Sequence, residues 1–332
     1  MNRRTALTRI GIGAGLLLTG LPSILQAQQS SRQAPHIIVA YPAGGVADFA
    51  ARSVADGLHT TAGLPPPIVE NKTGAAGNIA LDYLVRQSRN INAVAVFSNS
   101  LLTTNPFVPQ LASATIDPLK ELVPVAAIAD MVLMLAASSH LGVNSLDEFL
   151  KEARSRSGSK PLRIGLAGLG TPHHLSALLL EREADLDLTL VPYRGGAPMI
   201  ADAAGGHLDA VFTTIPVGGP MVQAGKMNWI AVVQDTKVPS LPSIPSLIDI
   251  FGGATIPSWI GIFARADAPD DMVQELHDAI TTAVNSPDIT EKLRDNGLEP
   301  LNLSLDETRQ LLESEAIFMS RFLSEFKLDF SA

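Results

Sequence analysis

The chain has 332 residues, enough for two domains of ordinary size or one large one, with a sizeable core either way. Hydrophobic residues make up 46% and charged ones 17%, which excludes wholesale disorder; the absence of cysteine removes disulfides, thiolate nucleophiles, thiolate metal sites and iron–sulfur ligation together. A net charge of −9, from Lys+Arg 24 against Asp+Glu 33, lacks the basic balance expected of a dedicated nucleic-acid binder.

The one long apolar run is N-terminal, so a polytopic membrane protein is excluded as well. Arg3, Arg4 and Arg9 form a basic n-region, Ile10 to Leu21 an apolar segment, and Gln26-Ala27-Gln28 a cleavage point. The apolar segment is about half of the ~20 residues a spanning helix needs, so residues 1–27 read as a signal peptide. Leu25 is larger than the small residue preferred near a cut. Arg3-Arg4 before a glycine-rich run fits a twin-arginine signal, and a plain Sec signal fits equally. Cleavage would remove three arginines and no acid, taking the charge from −9 to −12. An exported, acidic, cysteine-free chain points to the periplasm. Gly11-Ile12-Gly13-Ala14-Gly15 lies inside this leader, so its likeness to a nucleotide loop is compositional.

From about Pro35, strand-like and helix-like segments alternate. Ile37 to Ala40 is a continuous apolar run, as expected of a strand covered on both faces; it enters Tyr41-Pro42-Ala43-Gly44-Gly45 and then a helical pattern from Ala47 to His59. Ile68 to Glu70 is a second strand, followed by a glycine-rich turn at Thr73 to Gly77 and a helix over Asn78 to Gln87. Ala93 to Phe97 is a third, ending at Ser98-Asn99-Ser100. Later strands are expected at Arg163 to Leu166, Leu188 to Val191, Leu208 to Phe212 and Trp229 to Val233. Ser145-Leu146-Asp147-Glu148 and Ser304-Leu305-Asp306-Glu307 are capping boxes, and Thr171-Pro172 supplies an N-cap and a first-turn proline. The alternation predicts parallel sheet with helical crossovers.

Val123 to Ala137 and Ser258 to Ala264 are long, apolar and extended, unlike the short loops elsewhere. They read as two passages between domains. The first domain is then discontinuous, 35–130 plus 258–332, with 131–257 as the second, and a ligand would sit between them at the strand ends.

Five turns follow predicted strands there: Tyr41 to Gly45, Ser98 to Ser100, Gly168 to Thr171, Arg194 to Gly196, and Thr213-Thr214. Glycine permits close backbone approach, and helix starts aim free N–H groups at a ligand, so neutral donors would hold a carboxylate. The bland alternative is five tight turns. Asp48 either binds a ligand ammonium or serves the N–H groups and dipole of its own helix, the commoner role. His173-His174 point apart on a helix and lack a third metal ligand at suitable spacing, so no metal is expected. Arg194 either clamps a carboxylate or is an exposed turn arginine. Tyr41 and Trp259 either wall the pocket or pack in the core.

Three stretches, Tyr41 to Asp48, Glu70 to Asn78 and Val191 to Pro198, resemble signature stretches of the Bug receptors, the extracytoplasmic solute receptors of tripartite tricarboxylate transporters. Ser98-Asn99 with Asn105-Pro106, Gly168 to Leu175, and Gly205 to Asp209 are similar to family motifs too, in family order. The resemblance spans essentially the whole mature chain. It implies an α/β, two-domain periplasmic-binding-protein (Venus-flytrap, type II) fold with two interdomain crossings. It also implies a receptor, monomeric and without cofactor, that captures a small organic acid and delivers it to the membrane permease of such a transporter. Turns and motifs together give a candidate ligand set of Tyr41, Ala43, Gly44, Gly45, Asp48, Asn78, Ser98, Asn99, Gly170, Thr171, His173, Arg194, Gly195 and Thr213. Lys72-Thr73 and Asn90-Ile91-Asn92 depart from the family pattern, and Thr213 stands where the family commonly has Asp.

Two alternatives stay open. One is a sensor presenting its ligand-bound form to a signalling partner. The other is a periplasmic hydrolase: no Gly-x-Ser-x-Gly, His-Glu-x-x-His or Gly-Lys-Ser/Thr motif occurs, but a triad could assemble from distant residues. Mass spectrometry of the exported protein should show the loss of about 27 residues; a full-length cytoplasmic product would reject the leader.

Overall fold

In the computed structural model, which describes residues 35–61, 64–87, 92–113, 115–234 and 241–326, the chain builds two mixed sheets. The leader 1–27 and the Asn90-Ile91 turn lie outside the described residues. β1 (His36–Val39) buries Ile37, Ile38 and Val39 completely, because helices cover both of its faces. It is followed by α1 (Val46–Thr60), β2 (Ile68–Asn71), α2 (Asn78–Asp82), which runs on into a wide turn over Tyr83–Gln87, and β3 (Ala93–Ser98). β1 lies parallel between β2 and β3, with Ile37 opposite Val69 and Val94.

Two short helices, α3 (Ser100–Thr103) and α4 (Pro118–Glu121), lead into β4 (Leu122–Met131) and, after Val132 alone, β5 (Leu133–Ser138). The chain continues with α5 (Leu146–Arg156), β6 (Leu162–Leu166), α6 (Pro172–Glu183), β7 (Leu188–Pro192) and α7 (Gly196–Ala204). Next come β8 (Ala210–Thr214), α8 (Ile215–Gln223), β9 (Met227–Val232) and β10 (Trp259–Arg265). α9 (Asp270–Val284), α10 (Pro287–Asp295), β11 (Leu298–Pro300) and α11 (Leu305–Phe326) complete the described chain. The first sheet has the order β11-β4-β10-β3-β1-β2 and the second β7-β6-β8-β5-β9.

The expectation of parallel sheet holds for β2-β1-β3 and β7-β6-β8 and is corrected for the rest. β10 runs antiparallel between β3 and β4, β11 antiparallel to β4, and β5 antiparallel between β8 and β9. The two extended passages are therefore not loose connections. They are ladder strands, β4 and β5 in the first passage and β10 in the second, and β5 and β10, which enter a sheet from the other one, run against neighbours delivered by helical crossovers. Their apolar composition follows: β5 is buried at every residue, as is β10 except Arg265.

The caps form where the sequence places them. The Ser304 hydroxyl accepts the Glu307 N–H at 3.2 Å and Glu307 accepts the Ser304 N–H at 2.8 Å. Ser145 accepts the Glu148 N–H at 3.2 Å, while Glu148 reaches back to the Asn144 N–H at 2.7 Å. α9 packs on α1 and β4, held by His277 Nδ1–H donating to the Val125 carbonyl at 2.8 Å. At Gly57 an added Cβ would stand 2.8 Å from that of Ala283, so only glycine lets α1 and α9 approach this closely. α11 behaves differently from its neighbours. Leu305 and Leu312 join cores around the first sheet, whereas Met319 and Phe322 pack in the core of the second, with Leu133, Phe149 and Phe212.

A buried polar network fixes α11. Glu315, 9% exposed, accepts the Trp259 indole N–H at 2.9 and 2.8 Å and the Asn99 amide at 3.1 Å. Asn99 in turn accepts the Trp259 backbone N–H at 3.3 Å and donates its own N–H to the Trp259 carbonyl at 3.0 Å. Burial outweighs these hydrogen bonds and, with the nearby Asp130 charge, pushes the Glu315 carboxyl up to about 7. Asp130 lies opposite Glu299 on β11 but is exposed, so the buried Glu315 carboxyl carries the shift that matters for stability. Carboxyls raised above their unfolded values favour the folded state when protonated, and that contribution is lost as pH rises through the folded pKa. The stability should accordingly fall between about pH 5 and pH 8. Glu315→Gln should flatten that fall and stabilise the protein by roughly 3 kcal/mol at pH 8 and little at pH 5, read from urea unfolding at both values; an unchanged slope would sink the assignment.

Candidate functional site

Residues 33–332 form one compact unit, and within it a cavity of about 500 Å³ opens where the carboxyl ends of both sheets face each other. Each wall segment follows a strand. Tyr41 to Gly45 leave β1, Ser98 ends β3, Thr171 to His173 follow β6, Arg194 to Gly196 follow β7, and Thr213-Thr214 end β8. Met131 and Ile260, on the two strands that pass between the sheets, complete the floor. Four helices begin at this wall: α1, α6, α7 and α8. The first turn of any helix leaves backbone N–H groups without intrahelical acceptors, so the cavity faces several partial positive charges while the protein is acidic overall.

The loop after β1 is held from behind by Asp48. Asp48 is 4% exposed and does not line the cavity. Its carboxylate accepts the Gly44 N–H at 2.9 Å, the Asn71 amide at 2.9 Å and the Arg52 guanidinium at 3.0 Å. Burial alone would raise its pKa, but the hydrogen bonds from Arg52, Gly44 and Asn71 outweigh it and hold the carboxyl below its ordinary value. The Gly45 N–H is also spent within the loop, on the Pro42 carbonyl at 3.3 Å. Of the candidate stretch Ala43 to Gly45, two N–H groups are thus engaged internally, and Gly195 meets the loop from the other side. At φ +112°, with an added Cβ 3.3 Å from Pro42, Gly195 is a position for glycine alone.

Ten of the fourteen candidate residues line the cavity: Tyr41, Ala43, Gly44, Gly45, Ser98, Thr171, His173, Arg194, Gly195 and Thr213. Tyr41 also accepts the Ser98 N–H at 3.1 Å through its hydroxyl, while Trp259 is a core residue, 1% exposed. Asp48, Asn78, Asn99 and Gly170 stand behind the wall. The Asn78 amide donates to the Leu111 carbonyl at 2.9 Å, Asn99 belongs to the Glu315 network, and the Gly170 N–H donates to His174 Nδ1 at 3.1 Å. Thr171 is the N-cap of α6. Its hydroxyl donates to the Gly168 carbonyl at 2.8 Å and accepts the His174 N–H at 3.5 Å.

Among the cavity-lining residues, the buried side-chain polar atoms without a partner belong to the wall built on the second sheet. Thr213 and Thr214 are 1% and 2% exposed, and neither hydroxyl has a partner among the described residues. Thr214 is the N-cap of α8, yet its hydroxyl makes no capping bond. His173 Nδ1 is likewise buried and without a partner among the described residues, and burial lowers both His173 and His174 to about 4, so both rings are neutral at pH 7. Arg194 is exposed at the rim. Among the described residues no three His, Asp or Glu side chains are grouped to hold a metal ion, and no helix is long and apolar enough to cross a membrane. Thr214 was expected in the Thr213-Thr214 turn but not in the candidate ligand set, and the apolar lining from α8 was not singled out; Thr214-Ile215-Pro216, close to the cap-and-proline pattern of Thr171-Pro172, was the available signal.

Two sheets linked by extended strands around a cavity at their carboxyl ends define a solute-binding protein of the periplasmic-binding-protein class. Tripartite tricarboxylate transporter family receptors match over residues 50–328, and the chain belongs to that family. Its members are solute receptors, so the chain is a receptor and not an enzyme. It is 25% identical over 310 residues to protein BugT of Bordetella pertussis, covering 92% of each chain. With a Pseudomonas protein from the tcbD-tcbE intergenic region it is 26% identical over 294 residues, 88% of this chain and 86% of the other. Among solved structures, a periplasmic transporter superposes with TM-score 0.82 at 25% identity, covering 90% of this chain and 99% of that one. An R. palustris protein with adipate gives TM-score 0.82 at 26% identity, over 90% and 98%. The periplasmic binding protein BugD shares the fold, TM-score 0.80 at 21% identity over 90% and 99%.

Asp48→Ala should cost roughly 3 kcal/mol, since it strands the Gly44 and Asn71 donors and frees the loop. Arg194→Ala should stay within about 0.5 kcal/mol. Urea unfolding of the two variants checks both; equal costs would contradict the role given to Asp48.

Proposed function

We propose that the chain captures a small organic acid in this cavity and delivers it to the permease of a tripartite tricarboxylate transporter. It works as a monomer in the periplasm after removal of residues 1–27. The observation that carries the reading is an apolar cavity faced by four helix starts, whose first-turn N–H groups have no acceptor within their own helices. Neutral donors of this kind hold a carboxylate without a matched cation. The adipate of the R. palustris relative supports the substrate class. The free N–H groups at the start of α1, beside Ala43 to Gly45, take the carboxylate, and Arg194 assists from the rim.

Binding draws together the part built on 35–130 with 258–332 and the part built on 131–257. The pivot lies at Val132 and Ser258, where the chain passes between the sheets, with α11 as a third link whose Met319 and Phe322 stay in the second core. On titrating ligand-stripped protein with organic acids, small-angle scattering should give a smaller radius of gyration at saturation. Calorimetry should find Arg194→Ala weaker by less than about tenfold, or about 1.4 kcal/mol. An unchanged radius rejects closure, and abolished binding in folded Arg194→Ala replaces the neutral-donor reading with a charge clamp.

A further inference from the structure

The second-sheet wall of the cavity differs in kind from the first. On the first wall the polar groups are largely engaged by their own protein: Gly44 with Asp48, Gly45 with Pro42, Ser98 with Tyr41 and Asn99. On the second, the Thr213 hydroxyl, the Thr214 hydroxyl and His173 Nδ1 are buried with no partner among the described residues. Buried polar groups in folded proteins are almost always paired, and a cavity wall that leaves three uncommitted is built for a group that will pair with them.

The charge of that group follows from what surrounds it. Arg194 is the one charged side chain among the lining residues, and it is exposed. His173 is neutral, its pKa held at about 4 by burial. The remaining surface here is apolar, with Met199 and Met221 beside Val217. A second full carboxylate buried against Thr213 and Thr214 would lose its hydration and find no buried cation, only the partial charges of helix starts, Arg194 being exposed at the rim. A hydroxyl, carbonyl or amide would lose little, and threonine hydroxyls both donate and accept, so they suit any of these. The unbranched methionine chains adapt to the shape of an apolar body.

We infer that the ligand is an acid with one carboxylate, an apolar body, and an uncharged hydrogen-bonding group that meets Thr213, Thr214 and His173. The inference rests on the receptor reading above and narrows its substrate class. Matched pairs of acids that differ only at the far end test it by calorimetry on ligand-stripped protein. The pairs are 6-hydroxyhexanoate against adipate, and 4-hydroxyphenylacetate against 4-carboxyphenylacetate. In at least one pair the hydroxy acid should bind about tenfold tighter or more. Thr213→Val or Thr214→Val, both near-isosteric, should shrink that ratio at least about fivefold. Dicarboxylates that bind as tightly as their hydroxy partners, or tighter, overturn the inference and leave the receptor reading standing. A preference that survives both substitutions overturns it in the same way. Should neither variant fold, the ratio in the unaltered protein decides. Binding of none of the four acids overturns the carboxylate reading, and this inference with it.

Discussion

The Glu315 carboxylate is the point on which three parts of the chain converge. It takes the indole N–H of Trp259, where β10 begins, and the amide of Asn99, where β3 ends, while itself belonging to α11. Removing any partner would leave the others buried without a bond, so strand end, passage strand and helix are held in one relation. Ser98, the neighbour of Asn99, lies on the cavity wall, and Ser258, the neighbour of Trp259, stands where the chain returns to the first sheet. Position at the cavity is thereby tied to position at the passage. The cost is a carboxyl whose ionisation near neutral pH works against the fold.

The cavity shows the complementary economy. A protein of net charge −9 gathers neutral donors and helix starts to meet an acid, and its remote charges matter little because screening limits them to about 8 Å at physiological salt. What does matter is local. Asp48 is buried behind the cavity wall, neutralised by Arg52 and hydrogen-bonded by Asn71 and Gly44, so its charge shapes the loop without facing the ligand.

Much of this was legible in the amino-acid sequence. Continuous apolar runs such as Ile37 to Ala40 announced doubly covered strands, and capping residues announced the starts of α5, α6 and α11. Glycines and hydroxyls after predicted strands announced the cavity wall. Strand direction was not legible, because an apolar extended run looks the same whether its neighbours run with it or against it. Nor was the division of labour among polar side chains. Asn99 and Thr213 follow strands in similar settings, yet one is consumed by Glu315 and the other is uncommitted, a difference set by α11 and invisible in local spacing. α8 was missed because Pro216 and Pro220 mask a helical pattern that its packing restores.

The placement of α11 has a consequence for how the protein is made. Asn99 and Glu315 are 216 residues apart in the chain, and Met319 and Phe322 fill the core of a sheet whose strands were finished long before them. Neither sheet can close its core while α11 is still unmade. Contacts this distant in sequence form slowly, after a large loss of chain entropy. The native topology therefore locks only once α11 is present, and a chain cut short before residue 305 would leave the cores of both sheets open.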